Sequence, residues 1–515
     1  MTIESRTKKT IRNTFYSFSY QFIDIICTFI LRTIFIRTLG KSYLGLSGLF
    51  TNILTVLSLM ESGVGGAIVF ALYKPLAEHD ENKVAALMQL YKKVYSIIGL
   101  LVCVIGLSIT PFLKYIINIP DKIDNIYLIY WLLIANTAIS YFLTYRRSLL
   151  IADQRSDINI KNQIIFRIIR FILLSGALLI ARNYIIYLSL DVLNTLFSNL
   201  QITYLIKRRY SNIEKAKPQH ISSSEKKQIT KYIYSGLFMK FGQTVVNCTD
   251  SIIVSAFVST VSVGLFSNYS LITNSLDTAV YLVFSGTIAS IGNFAVERNA
   301  SDSESLFKKL NFSNFLIVFY CTVCLTSLLS PFVAIWAGVD YQLSNITVSV
   351  IILNFYIASS QKSIECFIGA VGEMGYRNRF RSLIEGIVNL VTSLLLVNYT
   401  NLGITGVFLG TTVCFIAGRI WMDARVLYKF WFKVNFLSYV IRYIVRFIIT
   451  VVVALIGKKI TSIIFQLFGT SLYTWILCGI LLSVLSISII LLLYRKSEEF
   501  SYFKRLISQK INKSN

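Results

Sequence analysis

Apolar stretches long enough to cross a bilayer, about 20 residues each, recur along the whole chain and alternate with short polar breaks. They predict spans near 15–37, 44–70, 91–117, 126–148, 163–182, 184–206, 231–257, 263–292, 312–337, 346–370, 383–399, 403–426, 438–457 and 470–494. The expected fold is therefore all-α: a polytopic membrane protein of about fourteen transmembrane helices. The longest polar break, 207–230, carries KRRY, Pro218 and a serine run. It reads as a linker between two halves.

The halves resemble each other. A shift of about 219 residues lays Leu44-Gly45-Leu46 on Val263-Gly264-Leu265 and Glu78 on Glu297. Thr110-Pro111-Phe112 then meets Ser330-Pro331-Phe332, one residue out of step, and Asn159 meets Asn378. After a three-residue gap, Leu90-Tyr91-Lys92-Lys93 meets Leu306-Phe307-Lys308-Lys309. The shared offset carries the argument, since each match is weak alone. Six spans separate equivalent helices, an even number, so the repeats run parallel in the membrane. Parallel six-helix repeats with a site between them are a transporter architecture. The expected organisation is a lobe at 1–206, a linker at 207–230, a second lobe at 231–428, and two added helices with a tail at 429–515.

Polar residues inside the spans follow the repeat. Gln21, Asp24, Thr28 and Arg32 recur at steps of three and four and share one helix face. Lys240, Gln243, Asn247 and Asp250 form the equivalent stripe on span 7. Thr51, Thr55, Ser58 and Ser62 on span 2 correspond to Ser270, Asn274, Asp277 and Tyr281 on span 8. Glu61 flanks the span 2 stripe, and Lys362 and Glu365 lie in span 10. A charge at bilayer depth costs roughly 2.5–3.5 kcal/mol on insertion scales, so such residues face protein or a wet cavity. Two roles are open for the carboxylates Asp24, Glu61, Asp250, Asp277 and Glu365: pairing with cations, or carrying a coupling proton or Na⁺. The cations Arg32, Lys240 and Lys362 suit a phosphate. The amides and hydroxyls of Gln21, Thr28, Gln243, Asn247 and Asn274 suit a polar substrate.

Composition agrees with this picture. Charged residues make up 15% of the chain, against about 25% in soluble domains, and hydrophobic residues 55%. The formal net charge of +25 follows from topology and needs no nucleic acid. With both ends placed inside, forty of the fifty Lys and Arg residues fall in inner segments and seven in outer loops. This positive-inside bias places both termini in the cytoplasm. Arg146 and Arg147 end span 4, where they serve as a positive-inside anchor or hold a phosphate. The eight cysteines all lie in apolar spans, so no disulfide framework is expected, and the Cys321–Cys324 CxxC reads as packing. His79 and His220, the two histidines, lie in loops, which argues against a histidine metal site. The first apolar segment ends without a cleavage site, so no cleaved signal peptide is expected.

The stretch YLGLSGLFTNILTVLSLMESGVGGAIVFALYKPLAEHD (Tyr43–Asp80), the following LYKKVYSIIGL, and YRRSLLIADQRSD (Tyr145–Asp157) resemble bacterial oligosaccharide repeat-unit flippases. These belong to the superfamily that also holds multidrug/toxin extruders and the lipid II flippase. The resemblance implies two six-helix lobes in a V around a central cavity. It implies export of an undecaprenyl-pyrophosphate-linked glycan across the cytoplasmic membrane for surface polysaccharide, beside other polysaccharide-assembly proteins. It makes Arg32 and Lys240 the phosphate-facing candidates. The chain departs from a purely cationic cavity in carrying about as many mid-span acids as cations.

Two other readings compete. A drug extruder on the same fold should have a more acidic and more apolar cavity. A membrane polymerase or glycosyltransferase should carry a large external loop or a DxD motif. Here the outer loops are short, and Asp121 and Asp124 make only a DxxD. The sequence therefore points to a transporter with no enzymatic role and no bound cofactor.

Overall fold

The computed structural model describes residues 6–61, 64–119, 123–297, 300–371 and 380–501. The side chains of residues 6–15 and of Lys240, Gln243 and Asn247 lie outside that description. Among the described residues the regular structure is entirely helical. A backbone in hydrocarbon must satisfy its own N–H and C=O groups, and a helix does so within one segment. Helices cover each of the expected spans. Nine of those described are individually long and apolar enough to cross a membrane.

The chain divides into two compact units, Met1–Gly264 and Leu265–Asn515. The first opens with α1, Arg6–Leu57, a helix of 52 residues. At 1.5 Å per residue it extends nearly 80 Å, far beyond a hydrocarbon core of about 30 Å. Gly40, at φ 78°, breaks it into two segments. The loop expected between spans 1 and 2 is thus a one-residue kink, which glycine takes without a Cβ penalty. Span 2 is also interrupted. The helix tightens into a 3₁₀ turn at Ser58–Glu61 and resumes as α2, Val64–Ala77. Glu61 therefore lies at a helix break.

The remaining helices of this unit are α3 (Glu81–Ile109), α4 (Ile126–Thr144), α5 (Arg147–Ala152), α6 (Ser156–Gly176), α7 (Tyr184–Arg209) and α8 (Ser223–Phe257). A π turn at Ala177–Ala181 extends α6. Its neighbour α1 packs on α6 and α8, and α4 packs between α3 and α7. The expected linker ends where Ser222 and Glu225 form a capping box at the start of α8. Glu225 also bridges to Lys83 Nζ at 2.5 Å. That lysine, followed by the Ser222 contacts, holds the Glu225 carboxyl below the usual glutamate range.

Gly45 and Gly264, which the repeat makes equivalent, meet at one crossing. A Cβ on Gly45 would stand 2.0 Å from the Thr260 carbonyl oxygen, and one on Gly264 would stand 2.8 Å from Gly45 N. Small residues let membrane helices approach backbone to backbone.

The second unit contains α9 (Thr260–Ser285, from Leu265 onward), α10 (Ile288–Glu297), α11 (Ala300–Trp336), α12 (Asn345–Ser360) and α13 (Lys362–Val371). It continues with α14 (Arg381–Tyr399), α15 (Ile404–Cys414), α16 (Leu437–Phe468) and α17 (Leu472–Tyr494). The added pair α16–α17 packs on α11 through Phe312, Phe319, Val323, Val453, Cys478 and Leu482. All eight cysteines are free, and Cys324 lies against that cluster. The outward faces of α16 and α17 stay apolar, with Leu455 59% and Val484 59% exposed. Such a surface suits lipid.

Candidate functional site

In the first unit, the α1 stripe meets two arginines of α6. The segment IIFRIIRFI spaces Arg167 and Arg170 three residues apart, on one face. Arg167 Nε lies 2.8 Å from Asp24 Oδ1, and the same guanidinium donates to the Thr28 hydroxyl. Arg170 forms a two-pronged bridge to Asp191 of α7, at 2.5 and 2.9 Å. Asn136 of α4 adds a donor to Asp191 at 3.4 Å. Such forked pairs fix orientation as well as charge.

Above the Arg170–Asp191 pair opens a cavity of about 300 Å³. One wall is the second segment of α1, with Ser47, Thr51, Thr55 and Ser58. The others bring Asn136 and Thr137 from α4, and Tyr184 and Tyr187 from α7. The volume lies at the lower end of ligand-sized pockets, roughly 300–1,000 Å³. Hydroxyls dominate the polar lining beside the single amide of Asn136, and its one full charge of each sign is paired. Such walls exchange hydrogen bonds with a hydroxylated guest while the tyrosine rings offer flat apolar faces. The charge of Arg32 is felt at Tyr184 and Tyr187.

Glu61 differs from the paired acids. Tyr95 donates to its Oε1 at 2.8 Å. Tyr91 stacks edge-on against Tyr95 at 5.0 Å and donates to the Gly65 carbonyl at 2.8 Å. Glu61 forms no ion pair among the described residues.

In the second unit, Lys362, Asp277 and Glu365 come together. Lys362 Nζ lies 3.0 Å from Asp277 and 3.5 Å from Glu365, and Ser359 donates to Asp277 at 2.7 Å. Arg419 reaches Glu365 at 3.4 Å. Arg381 reaches Asp423 at 2.6 Å and Glu385 at 3.7 Å. Among the described residues the network holds three cations against four carboxylates, and Lys362 is paired twice over.

Asp24 and Thr28 serve the Arg167 pair, Gln21 is half-buried beside them, and Asn274 is exposed. Asp250 is buried in α8, next to Ser251, which accepts from Asn52 of α1 at 2.8 Å. Lys240, Gln243 and Asn247 lie outside the described residues. The charge count assigned Arg167 and Arg170 to an inner segment. They lie well inside α6, because Asp24 and Asp191 on neighbouring helices neutralise them. Arg381 and Arg419 were likewise counted as inner loops and instead join the Glu365 network. The available signal was their position within apolar runs, as in IIFRIIRFI. Arg147, weighed as anchor or phosphate ligand, sits in a cage of Asn159, Asn162, Ser198 and Asn199 oxygens at 2.8–3.1 Å.

The sequence pattern of the polysaccharide biosynthesis protein family matches residues 10–289, more than half of the chain. The chain belongs to this family. No curated protein sequence matches it significantly. Among solved structures, this family member is similar to an inward-facing multidrug resistance MATE transporter of the MOP superfamily. That match has a TM-score of 0.64 at 14% identity, covering 80% of this chain and 98% of the other. It is also similar to the lipid II flippase MurJ in an inward closed conformation, with a TM-score of 0.63 at 12% identity, covering 93% and 99%. A MOP superfamily transporter from Pyrococcus furiosus, described as having a binding pocket of reversed polarity, gives 0.55 at 16% identity, covering 82% and 96%. The fold is therefore that of MOP-superfamily transporters, and this polysaccharide biosynthesis protein is a multi-pass membrane protein.

Proposed function

We propose that the protein is a flippase, with no enzymatic role, that exports undecaprenyl-pyrophosphate-linked oligosaccharide units across the cytoplasmic membrane. The observation that carries this reading is the cavity in the first unit. Its lining is rich in hydroxyls, with the Asn136 amide among them, and its charges cancel. Sugar hydroxyls cannot enter hydrocarbon without losing hydrogen bonds, and Thr51, Thr55, Ser58, Asn136 and Thr137 replace them. The family membership supports the pathway. The flippase structure also spans more of this chain than the extruder, 93% against 80%. A drug extruder would need a net acidic pocket for organic cations. Arg32 is the phosphate-facing residue in this reading, by its place on the polar face of α1 and by the family resemblance. The positive-inside count supports cytoplasmic termini.

The test is complementation of a deletion strain. Wild type restores surface polysaccharide. Arg32→Ala leaves lipid-linked units accumulated inside, and Arg32→Lys recovers part of the export, since it keeps the charge and loses the fork. Resistance to a cationic dye, with normal surface polysaccharide in the deletion strain, would replace this reading with the extruder.

A further inference from the structure

A second basic feature lies in the Leu265–Asn515 unit, outside the Lys362–Glu365 network. Arg442 and Arg446 stand one turn apart on α16, so both heads leave the same face. That face closes a crevice against α11 and α12, with Asn311, Phe315, Tyr356 and Ser360 opposite. Arg446 lies over the rings of Phe312 and Phe315, 5.6 and 5.1 Å from their centroids. It donates to Asn311 Oδ1 at 2.7 Å, and Arg442 donates to the Tyr428 hydroxyl at 2.6 Å.

Neither arginine forms an ion pair among the described residues. Glu304, whose charge reaches Tyr428, is itself held by Lys308 at 2.8 Å. Glu499 acts on Arg446 only through space. Arg147 is also held by neutral oxygens, but arginines deep in other spanning helices are paired. Arg167, Arg170 and Arg381 each meet a carboxylate. Cations on a spanning helix are costly without an anion. Here aromatic faces and neutral oxygens hold the two guanidinium planes. Each arginine has five N–H donors, more than Asn311, Tyr494 and Tyr428 together occupy.

The shape and surroundings say which anion. The closed part of the crevice has room for little more than one water, about 20 Å³, so a guest sits at its mouth. Beside that mouth the same helix exposes Ile441, Ile444, Val445 and Ile448, between 44% and 54%. An anion there has acyl-chain surface next to it. Basic pockets between membrane helices are a recurring headgroup site. We propose that Arg442 and Arg446 hold the phosphate of an anionic phospholipid, whose chains lie along the exposed face of α16. This inference is independent of the flippase reading.

The experiment is native mass spectrometry of the full-length protein in detergent, titrated with phosphatidylglycerol, phosphatidylcholine or inorganic phosphate. The expected result is selective retention of phosphatidylglycerol. Affinity should fall about fivefold for each of Arg442→Gln and Arg446→Gln, with most of the binding kept in the Arg442→Lys/Arg446→Lys protein. Equal retention of phosphatidylcholine overturns the proposal, and needs no variant. So does displacement of phosphatidylglycerol by millimolar inorganic phosphate, which would make the source soluble. Unchanged phosphatidylglycerol binding in a folded double glutamine variant overturns it as well.

Discussion

At the scale of single residues, membrane charges in this protein are partnered according to their task. Asp24 and Arg167 illustrate the structural task. Their pairing ties α1 to α6, and removing the carboxylate leaves Arg167 with only neutral acceptors, the Thr28 hydroxyl and the Asp24 carbonyl. Asp24→Asn should destabilise the detergent-solubilised protein by about 1–3 kcal/mol, the scale of a lost partner for a buried hydrogen-bonding group, since Arg167 keeps neutral acceptors. The double change Asp24→Asn/Arg167→Gln should recover much of that loss, read as a melting temperature. If the double variant melts below Asp24→Asn, the pair is not a coupled unit. The sequence revealed half of this contact. Asp24 and Thr28 stood out because their spacing matches a helix face. Arg167 did not, because a basic residue near a span boundary looks the same whether it anchors the loop or reaches a carboxylate. Only the neighbouring helix decides, and helix adjacency is not written in the spacing of one segment. Lys362 and Glu365 followed the same course: both were visible, while their partners Arg381 and Arg419 were absorbed into loop counts.

At the scale of elements, the positions of the helices were readable because burial in lipid demands long apolar runs. Their breaks were not. Gly40 gave no stronger signal than other glycines, yet it alone turns a 52-residue helix into two segments. The close crossing of Gly45 and Gly264 is the structural meaning of the repeat offset. The two glycines match in sequence and touch in space. Gly45→Ala places a Cβ 2.0 Å from a backbone oxygen, which no rotamer relieves. Overpacking of this kind costs about 1–3 kcal/mol and occasionally more. Gly45→Ala should fall at or above the top of that range, and Gly264→Ala should lose stability in the same direction. Gly40→Ala acts differently. It meets no neighbour within 4 Å, and its penalty is the positive φ alone. Thermal unfolding of the three proteins separates these causes. Equal stability of Gly45→Ala and wild type would show that the crossing is looser than drawn here.

At the scale of the whole molecule, a flippase driven by an ion gradient needs a group that carries the ion, and the pairing pattern narrows which. Asp24, Asp191, Asp277 and Glu365 each stand in an ion pair. Protonating any of them would strand a cation in the fold. Glu61 stands at the break between α1 and α2, meets the Tyr95 hydroxyl and has no cation partner among the described residues. Its place at a helix break also lets a change of charge alter the local backbone without breaking a regular ladder. We therefore expect Glu61 to carry the coupling proton. In proteoliposomes loaded with a lipid-linked oligosaccharide, an imposed proton gradient should accelerate flipping by wild type. Glu61→Gln, a fixed mimic of the protonated acid, should flip at a rate that no longer responds to the gradient. Tyr95→Phe should shift the response without abolishing it, because it removes one donor and leaves the carboxyl in place. A wild-type rate that follows a Na⁺ gradient and ignores protons would move the coupling site away from Glu61. The carboxylates around Lys362 would then be the next place to look.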